Sequence, residues 1–345
     1  MAPAGADTLR LAFLHAELHR DGPGQMLADI AKGEDQPQAV ARVIDATGAD
    51  VLVLAGVDHD AQQNGLAALN DTLAAPYPHL LSIPGNIGVP TGLDLDGDGR
   101  LGGPDDRQAY GNFAGNSGMA VLSRLPFDRA ALIDLAPLLW RDVPDSLLID
   151  RAGRTGDAAT GAGVQRLSSG GHWMLPLSLP DGGTLTVMGF HAGPPVFDGP
   201  EDRNGRRNAD EIALWRHVLD GRIGQGPPEP PFVLLGAANA DLADGDGRRD
   251  AIRALLADPR LRDPRPTSPG GAAAGGADGH AGDPALDTVA WPAPGPGNLR
   301  VDYVLPWAGA TVADAGVLWP VPDDPLAPDV AAASRHRVVW VDLVF

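Results

Sequence analysis

Residues 94–105 read DLDGDGRLGGPD, and the spacing of their oxygen-bearing side chains suits a hard cation. Asp94, Asp96 and Asp98 fall on alternate positions, Gly99 follows them, and Asp105 closes the run. A calcium ion takes six to eight oxygens, and alternate residues of a tight turn point theirs inward. The offsets match those of an EF-hand loop, in which the seventh residue gives a backbone carbonyl. The expected ligands are therefore Asp94, Asp96, Asp98, the Arg100 carbonyl and Asp105. The short Asp at the closing position disfavours bidentate ligation, and the Gly- and Pro-containing flanks are not helical. The loop thus predicts a structural Ca²⁺ site rather than a helix–loop–helix sensor. The run from Asp241 to Asp246 lacks a downstream ligand and reads as a turn leading into a helix.

The bulk composition narrows the other chemistry. The chain has 345 residues, no cysteine and a formal net charge of −19. Thiolate metal sites, disulfides and cysteine nucleophiles are excluded. A surface this acidic repels nucleic acid at long range, and no basic stripe is visible to track phosphates, so nucleic acid is not an expected partner. No apolar run approaches the roughly 18–20 residues of a membrane-spanning helix, and MAPAGADTLR lacks the basic and apolar regions of a signal peptide. Compartment and oligomeric state stay open. No GxSxG elbow, P-loop, GxGxxG fingerprint or HExxH pair is present. Ser168 and Ser169 have no base nearby in sequence and read as a strand cap.

Short apolar runs that would position such residues alternate with helical patterns. Strands are expected at 9–13, 51–55, 119–123, 173–179, 185–190, 232–235, 301–305 and 338–343. Val40, Val43 and Ile44 follow helical spacing, with Gly48 where that helix would end. Asn208 reads as an N-cap with Glu211 closing a capping box, ahead of an apolar face at Ile212, Trp215, Val218 and Leu219. Ile252, Leu255 and Leu256 mark a further short helix. Helices interleave with strands early and strands cluster later, which implies mixed sheets. The Gly-, Ala- and Pro-rich stretch 266–297 reads as a long surface loop inserted within one domain spanning 1–345.

Five segments in order carry a family likeness: GLDLDGDG at 92–99, GMAVLSR at 118–124, HAGPPVFDGPEDRNGRRN at 191–208, GAAN at 236–239 and SRHRVVWVDL at 334–343. Together they resemble the endonuclease/exonuclease/phosphatase superfamily, and within it a bacterial group with long loops. That resemblance implies a four-layered α/β sandwich, two packed mixed β-sheets flanked by helices. It also implies metal-assisted in-line hydrolysis of a phosphoester, with Mg²⁺ held by an Asn and a Glu near strand ends. On this sequence the retained catalytic positions are His191, Asn239, Asp302 and His336.

Four other positions depart from the family pattern. His15 stands where the metal-binding Asn is expected, Gly56 where the Glu is expected, Ala237 for the Asp of the GDxN motif, and Arg335 for the Asp before the last histidine. The expectation is a depleted hydrolytic centre with little hold on Mg²⁺ or Mn²⁺, whose remnant cleft binds a small phosphorylated ligand. One alternative is an active hydrolase whose metal ligands have moved to His15, Glu17, Asp58 and Asp60, a set that favours Zn²⁺ or Mn²⁺. Another is a calcium-stiffened interaction module with an apolar patch near residues 100–117.

Overall fold

The computed structural model describes residues 8–224 and 226–345. Along the chain come β1 (Thr8–Leu18), α1 (Gln25–Lys32), α2 (Asp35–Thr47), β2 (Val51–Val57), α3 (Asn64–Asp71), β3 (His79–Ile83), β4 (Gly118–Ser123), β5 (Ile133–Asp134), β6 (Gly171–Ser178) and β7 (Thr184–His191). The second half holds α4 (Arg203–Leu219), β8 (Phe232–Ala237), α5 (Arg249–Leu256), α6 (Pro269–Ala274), β9 (Val289–Ala290), β10 (Asn298–Leu299), β11 (Asp302–Pro306), β12 (Thr311–Leu318), α7 (Ala327–Ala333) and β13 (Val338–Val344).

Two sheets organise these elements. One has the order β12-β13-β1-β2-β4-β3, the other β11-β8-β7-β6-β5. Each is mixed: β1 runs parallel to β2, β7 runs parallel to β8, and the remaining pairs are antiparallel. The continuous apolar runs are explained by burial on both faces. In β1, Leu11 and Phe13 enter the core between the sheets, whereas Ala12 and Leu14 face the layer of α1, α2, α3 and α7. In the other sheet Val187, Val233 and Leu235 meet that shared core, while Met188, Phe190 and Leu234 pack on α4 and α5. The result is the helix–sheet–sheet–helix sandwich that the family likeness implied.

All eight expected strands are present, and α2 ends at Gly48 in a left-handed conformation. The edge strands β3 and β12 escaped the sequence reading because neither is a strong apolar run. Two expectations need correction. Asn208 is not a cap: α4 begins five residues earlier, and the fully buried Asn208 amide donates to the carbonyls of Gly193 at 2.8 Å and Ala238 at 2.7 Å. It ties the helix to the loops after β7 and β8, a tertiary task that a local pattern cannot reveal. The 266–297 stretch is not a bare loop either. Ser268 caps α6, and β9 pairs with β10.

Topology places one end of each sheet together. The parallel strands β1 and β2 end where antiparallel β13 begins, and β7 and β8 end where β11 begins, with Asp302 opposite Ala237. Holding that edge depends on close contact between the sheets. Trp173 on β6 lies fully buried in the shared core over Gly189 of β7, where an added Cβ would come within 2.2 Å of the indole. Trp173→Ala should therefore cost about 3–5 kcal/mol, measured as a lower urea midpoint with an unchanged slope.

Candidate functional site

At this edge three imidazoles meet. His15 comes from the end of β1, His191 is the last residue of β7, and His336 precedes β13. The rings of His15 and His336 stack with centroids 4.5 Å apart, and His191 meets His15 edge-on at 4.8 Å. Trp291 packs edge-on against His336 at 5.8 Å. Behind His336, Nδ1 lies 2.8 Å from Oδ2 of Asp302, a fully buried carboxylate at the start of β11. Burial, followed by the neighbouring imidazoles, holds His15 well below its ordinary range and lowers His191 to about 3. Both rings are neutral at pH 7, and each has a buried Nδ1 with no hydrogen-bond partner among the described residues.

The position at which the family likeness expects a carboxylate has a specific geometry. Between Ala55 and Val57 the β2 register slips against both neighbours, so Gly56 sits on a bulge with φ 70°. A Cβ added there would lie 2.7 Å from Cε1 of His15 and 3.1 Å from the Glu17 nitrogen. The His15 ring and the adjoining backbone fill the space that an acidic side chain at 56 would need. Mg²⁺ favours hard oxygen ligands, and the donors gathered here are two imidazoles with a single carboxylate, Glu17, a set that fits that ion poorly.

The other acids near the edge divide between tasks. Asp58 accepts from the backbone of Arg20 and Ser117 and from the Asn116 amide, at 2.9–3.0 Å. Asp60 accepts three backbone N–H groups at the start of α3. Both hold loops, and among the described residues neither is gathered with His15 and His336. Glu17 remains close: it, His15 and His336 each offer a ligand atom within 4.8 Å of the others. Its carboxylate receives the Arg335 backbone N–H and Nε, both at 2.8 Å. Burial works to raise the Glu17 carboxyl, but Arg335 outweighs it and holds the group below its usual value. Asn239, at φ 50°, donates its amide to the Ala192 carbonyl at 2.8 Å and so stays beside His191, its amide turned to the backbone.

Beyond His191 opens a cleft of about 770 Å³ whose walls include Arg107, Arg151, Arg203, Arg207, Tyr110 and Phe197. Phe197 is 89% exposed and Tyr110 70%, so two exposed aromatic rings border the cleft, whose arginines share the walls with Asp105, Asp198, Glu201 and Glu211. Arg203 lies near the Trp140 ring, it forms no salt bridge among the described residues, and burial lowers it to about 10. Arg207 spends its donors on the carbonyls of Leu167 and Arg166. Sequence reasoning missed these arginines because they converge from three separate segments. At the cleft floor Glu211 accepts the N–H groups of Ser169 and Gly193. The Ser168 hydroxyl does have a base, Nδ1 of His172 at 2.8 Å, yet both residues are completely buried and the pair is structural.

The acidic loop closes differently from its sequence spacing. Asp94 and Asp96 gather with Asp106, not Asp105. A short 3₁₀ turn at Pro104–Asp106 carries Asp106 inward, where it accepts from Leu95, Gly102 and Gly103, while Asp105 swings outward to pair with Arg151 at 2.5 Å. Asp98 lies outside that group and accepts the Arg100 N–H at 2.8 Å. Pro104 ahead of two acids was the available signal. In the 100–117 region Leu101 and Tyr110 are the large apolar side chains that stand exposed.

Two mixed sheets packed on each other between helical layers define a phosphoesterase-type α/β sandwich fold. The model of the Endonuclease/Exonuclease/phosphatase family matches residues 20–336, and the chain belongs to that family. Among solved structures it is similar to an endonuclease/exonuclease/phosphatase from Beutenbergia cavernae, at 21% identity and TM-score 0.57, over 98% of this chain and 72% of that one. It is also similar to a mannosyl-6-phosphatase from Bacteroides thetaiotaomicron, at 14% and 0.52, over 98% of this chain and 100% of that one. A third is sphingomyelinase C from Streptomyces griseocarneus, at 17% and 0.51, over 97% and 99%. At these identities the likeness establishes the fold. No curated protein sequence matches the chain.

Burial drives the Glu211 carboxyl up to about 7, against partial opposition from Arg207 and the two N–H donors. A carboxyl whose folded value is raised stabilises below its unfolded value, and that stability is lost as pH rises through the folded one. Melting temperature should fall between about pH 4.5 and 7. Asp210, raised to about 6, acts in the same direction. Glu211→Gln should lower the melting temperature throughout, because one N–H loses its acceptor, and flatten the slope in this window. An unchanged slope would assign the pH dependence to other groups.

Proposed function

We propose that this family member binds a small phosphorylated ligand in the arginine-lined cleft and does not efficiently hydrolyse it by the Mg²⁺ route. The observation that carries this reading is the His15 ring lying over Gly56, in the space a metal-binding carboxylate would occupy. Ala237 removes a second acid, the expected general base, and such a loss alone typically lowers rate about 10²–10⁴-fold. What the cleft retains is anion recognition: His191 at its base, and Arg203 on its wall. Asp302 and His336 hold the adjoining edge in a fixed orientation. The aromatic rings of Tyr110 and Phe197 suit a ligand with a ring or apolar face beside its phosphate.

Titration with inorganic phosphate and with a small phosphomonoester should show binding that Arg203→Ala weakens about tenfold or more, consistent with a charge-assisted contact. In the same preparations bis(p-nitrophenyl) phosphate with Mg²⁺ should give no turnover above background. Mg²⁺-dependent turnover abolished by His191→Ala would overturn the proposal.

We further propose that the 94–106 loop takes a structural Ca²⁺, with Asp94, Asp96 and Asp106 as its carboxylate ligands. Crowded acids facing one point repel unless a cation neutralises them. Ca²⁺ at 100 times its dissociation constant should stabilise the fold by about 2.7 kcal/mol, read as a melting temperature that chelator lowers. Asp106→Asn should abolish the shift and Asp105→Asn should leave it, whereas the reverse order would restore the closing role to Asp105.

A further inference from the structure

We infer that His15, Glu17 and His336 form a binding site for a borderline-soft divalent ion, Zn²⁺. Their ligand atoms already lie within 4.8 Å of one another. Ligands on a tetrahedral ion with bonds of about 2.0–2.1 Å sit roughly 3.4 Å apart, so closure needs side-chain movements of little more than an ångström. Two further features point to an ion rather than to packing alone. His15 is 8% exposed and has a buried ring nitrogen without a partner among the described residues. Such orphaned groups are rare in folded proteins. In addition, Asp302 engages Nδ1 of His336 and leaves the opposite ring nitrogen available. That carboxylate–histidine arrangement orients imidazoles toward metals.

The donor set selects the ion. Two imidazoles and one carboxylate suit Zn²⁺ far better than Mg²⁺. The bulge that excludes a side chain at 56 also seats the His15 ring, so the local geometry that rejects the hard ion assembles the softer site. His191, edge-on to His15 at 4.8 Å, stands beside it on the cleft side.

One residue opposes the ion. Arg335 holds the Glu17 carboxylate through its guanidinium and backbone nitrogen, yet its side chain is 54% exposed. An arriving cation must displace that guanidinium, which has solvent to move into. Arg335 is thus a built-in competitor, and its removal should strengthen metal binding, an effect that no packing role for the histidines would give.

The experiment is calorimetric titration with Zn²⁺ in buffer holding saturating Ca²⁺, paired with Co²⁺ as a spectroscopic substitute. One equivalent of Zn²⁺ should bind, and Co²⁺ should develop the visible bands of low-coordinate Co²⁺. Glu17→Gln and His15→Gln should each weaken binding at least tenfold, Asp302→Asn about 10–100-fold, and the exposed Arg335→Gln should tighten it severalfold. Asp106→Asn should leave it unchanged, which separates this ion from the acidic loop. Absence of stoichiometric Zn²⁺ in the wild-type chain, or binding indifferent to both Glu17→Gln and Arg335→Gln, would overturn the site. Circular dichroism of each metal-free variant guards against misfolding, and Arg335→Gln carries the test if His15→Gln does not fold. Phosphate titration of the zinc-free protein reads the cleft independently.

Discussion

A volume can be filled only once, and at the β1–β2 bulge it is filled by His15. Gly56 adopts a left-handed backbone there, and the imidazole lies where its Cβ would project. The two residues are therefore one structural decision: a histidine on β1 needs glycine opposite it, and glycine leaves no acid on β2. From that contact follow the stacking on His336, the approach to His191 and the neutrality of the His15 and His191 rings in a buried cluster. Three imidazoles thus gather at this edge beside the carboxylates of Glu17 and Asp302.

The sandwich makes this edge possible. Each sheet contributes a parallel pair whose strands end at the same side, and the shared core of Leu11, Phe13, Val53, Trp173, Val187 and Leu235 keeps the two ends in register. Helix α4 completes the arrangement from outside. Its Asn208 amide bridges the loops after β7 and β8, and Glu211 one turn later gathers Ser169 and Gly193. Buried polar groups with several backbone partners hold loops more specifically than apolar contacts do, because each unmade bond carries a desolvation penalty. The cleft beside His191 inherits its shape from these ties.

Much of the architecture was legible because burial leaves a pattern. Continuous apolar runs marked the eight main strands, and glycine marked the end of α2. The edge strands β3 and β12 carried a weaker pattern and were missed. Asn208 and Glu211 were misread for a related reason: Asn followed by Glu three residues on imitates a capping box, and only the tertiary contacts reveal that both side chains reach across to other segments. In the acidic loop Asp94 and Asp96 do lie together, but their companion is Asp106, which a 3₁₀ turn carries inward while Asp105 turns outward.

By itself the amino-acid sequence determined the main strands, the helices and the groups at each motif position, since strand periodicity and residue type are local and additive along the chain, and the family likeness of those motifs implied the sandwich. It also placed Gly56, Ala237 and Arg335 where the family likeness expects acids. Tertiary structure alone decided which of the remaining groups meet. Asp58 and Asp60, close in sequence to the vacant position, turn to backbone N–H groups, whereas Glu17 and His336, more than 300 residues apart, share one point with His15. Convergence of distant side chains depends on register, bulges and the packing of one sheet on the other, and those are properties of the folded whole.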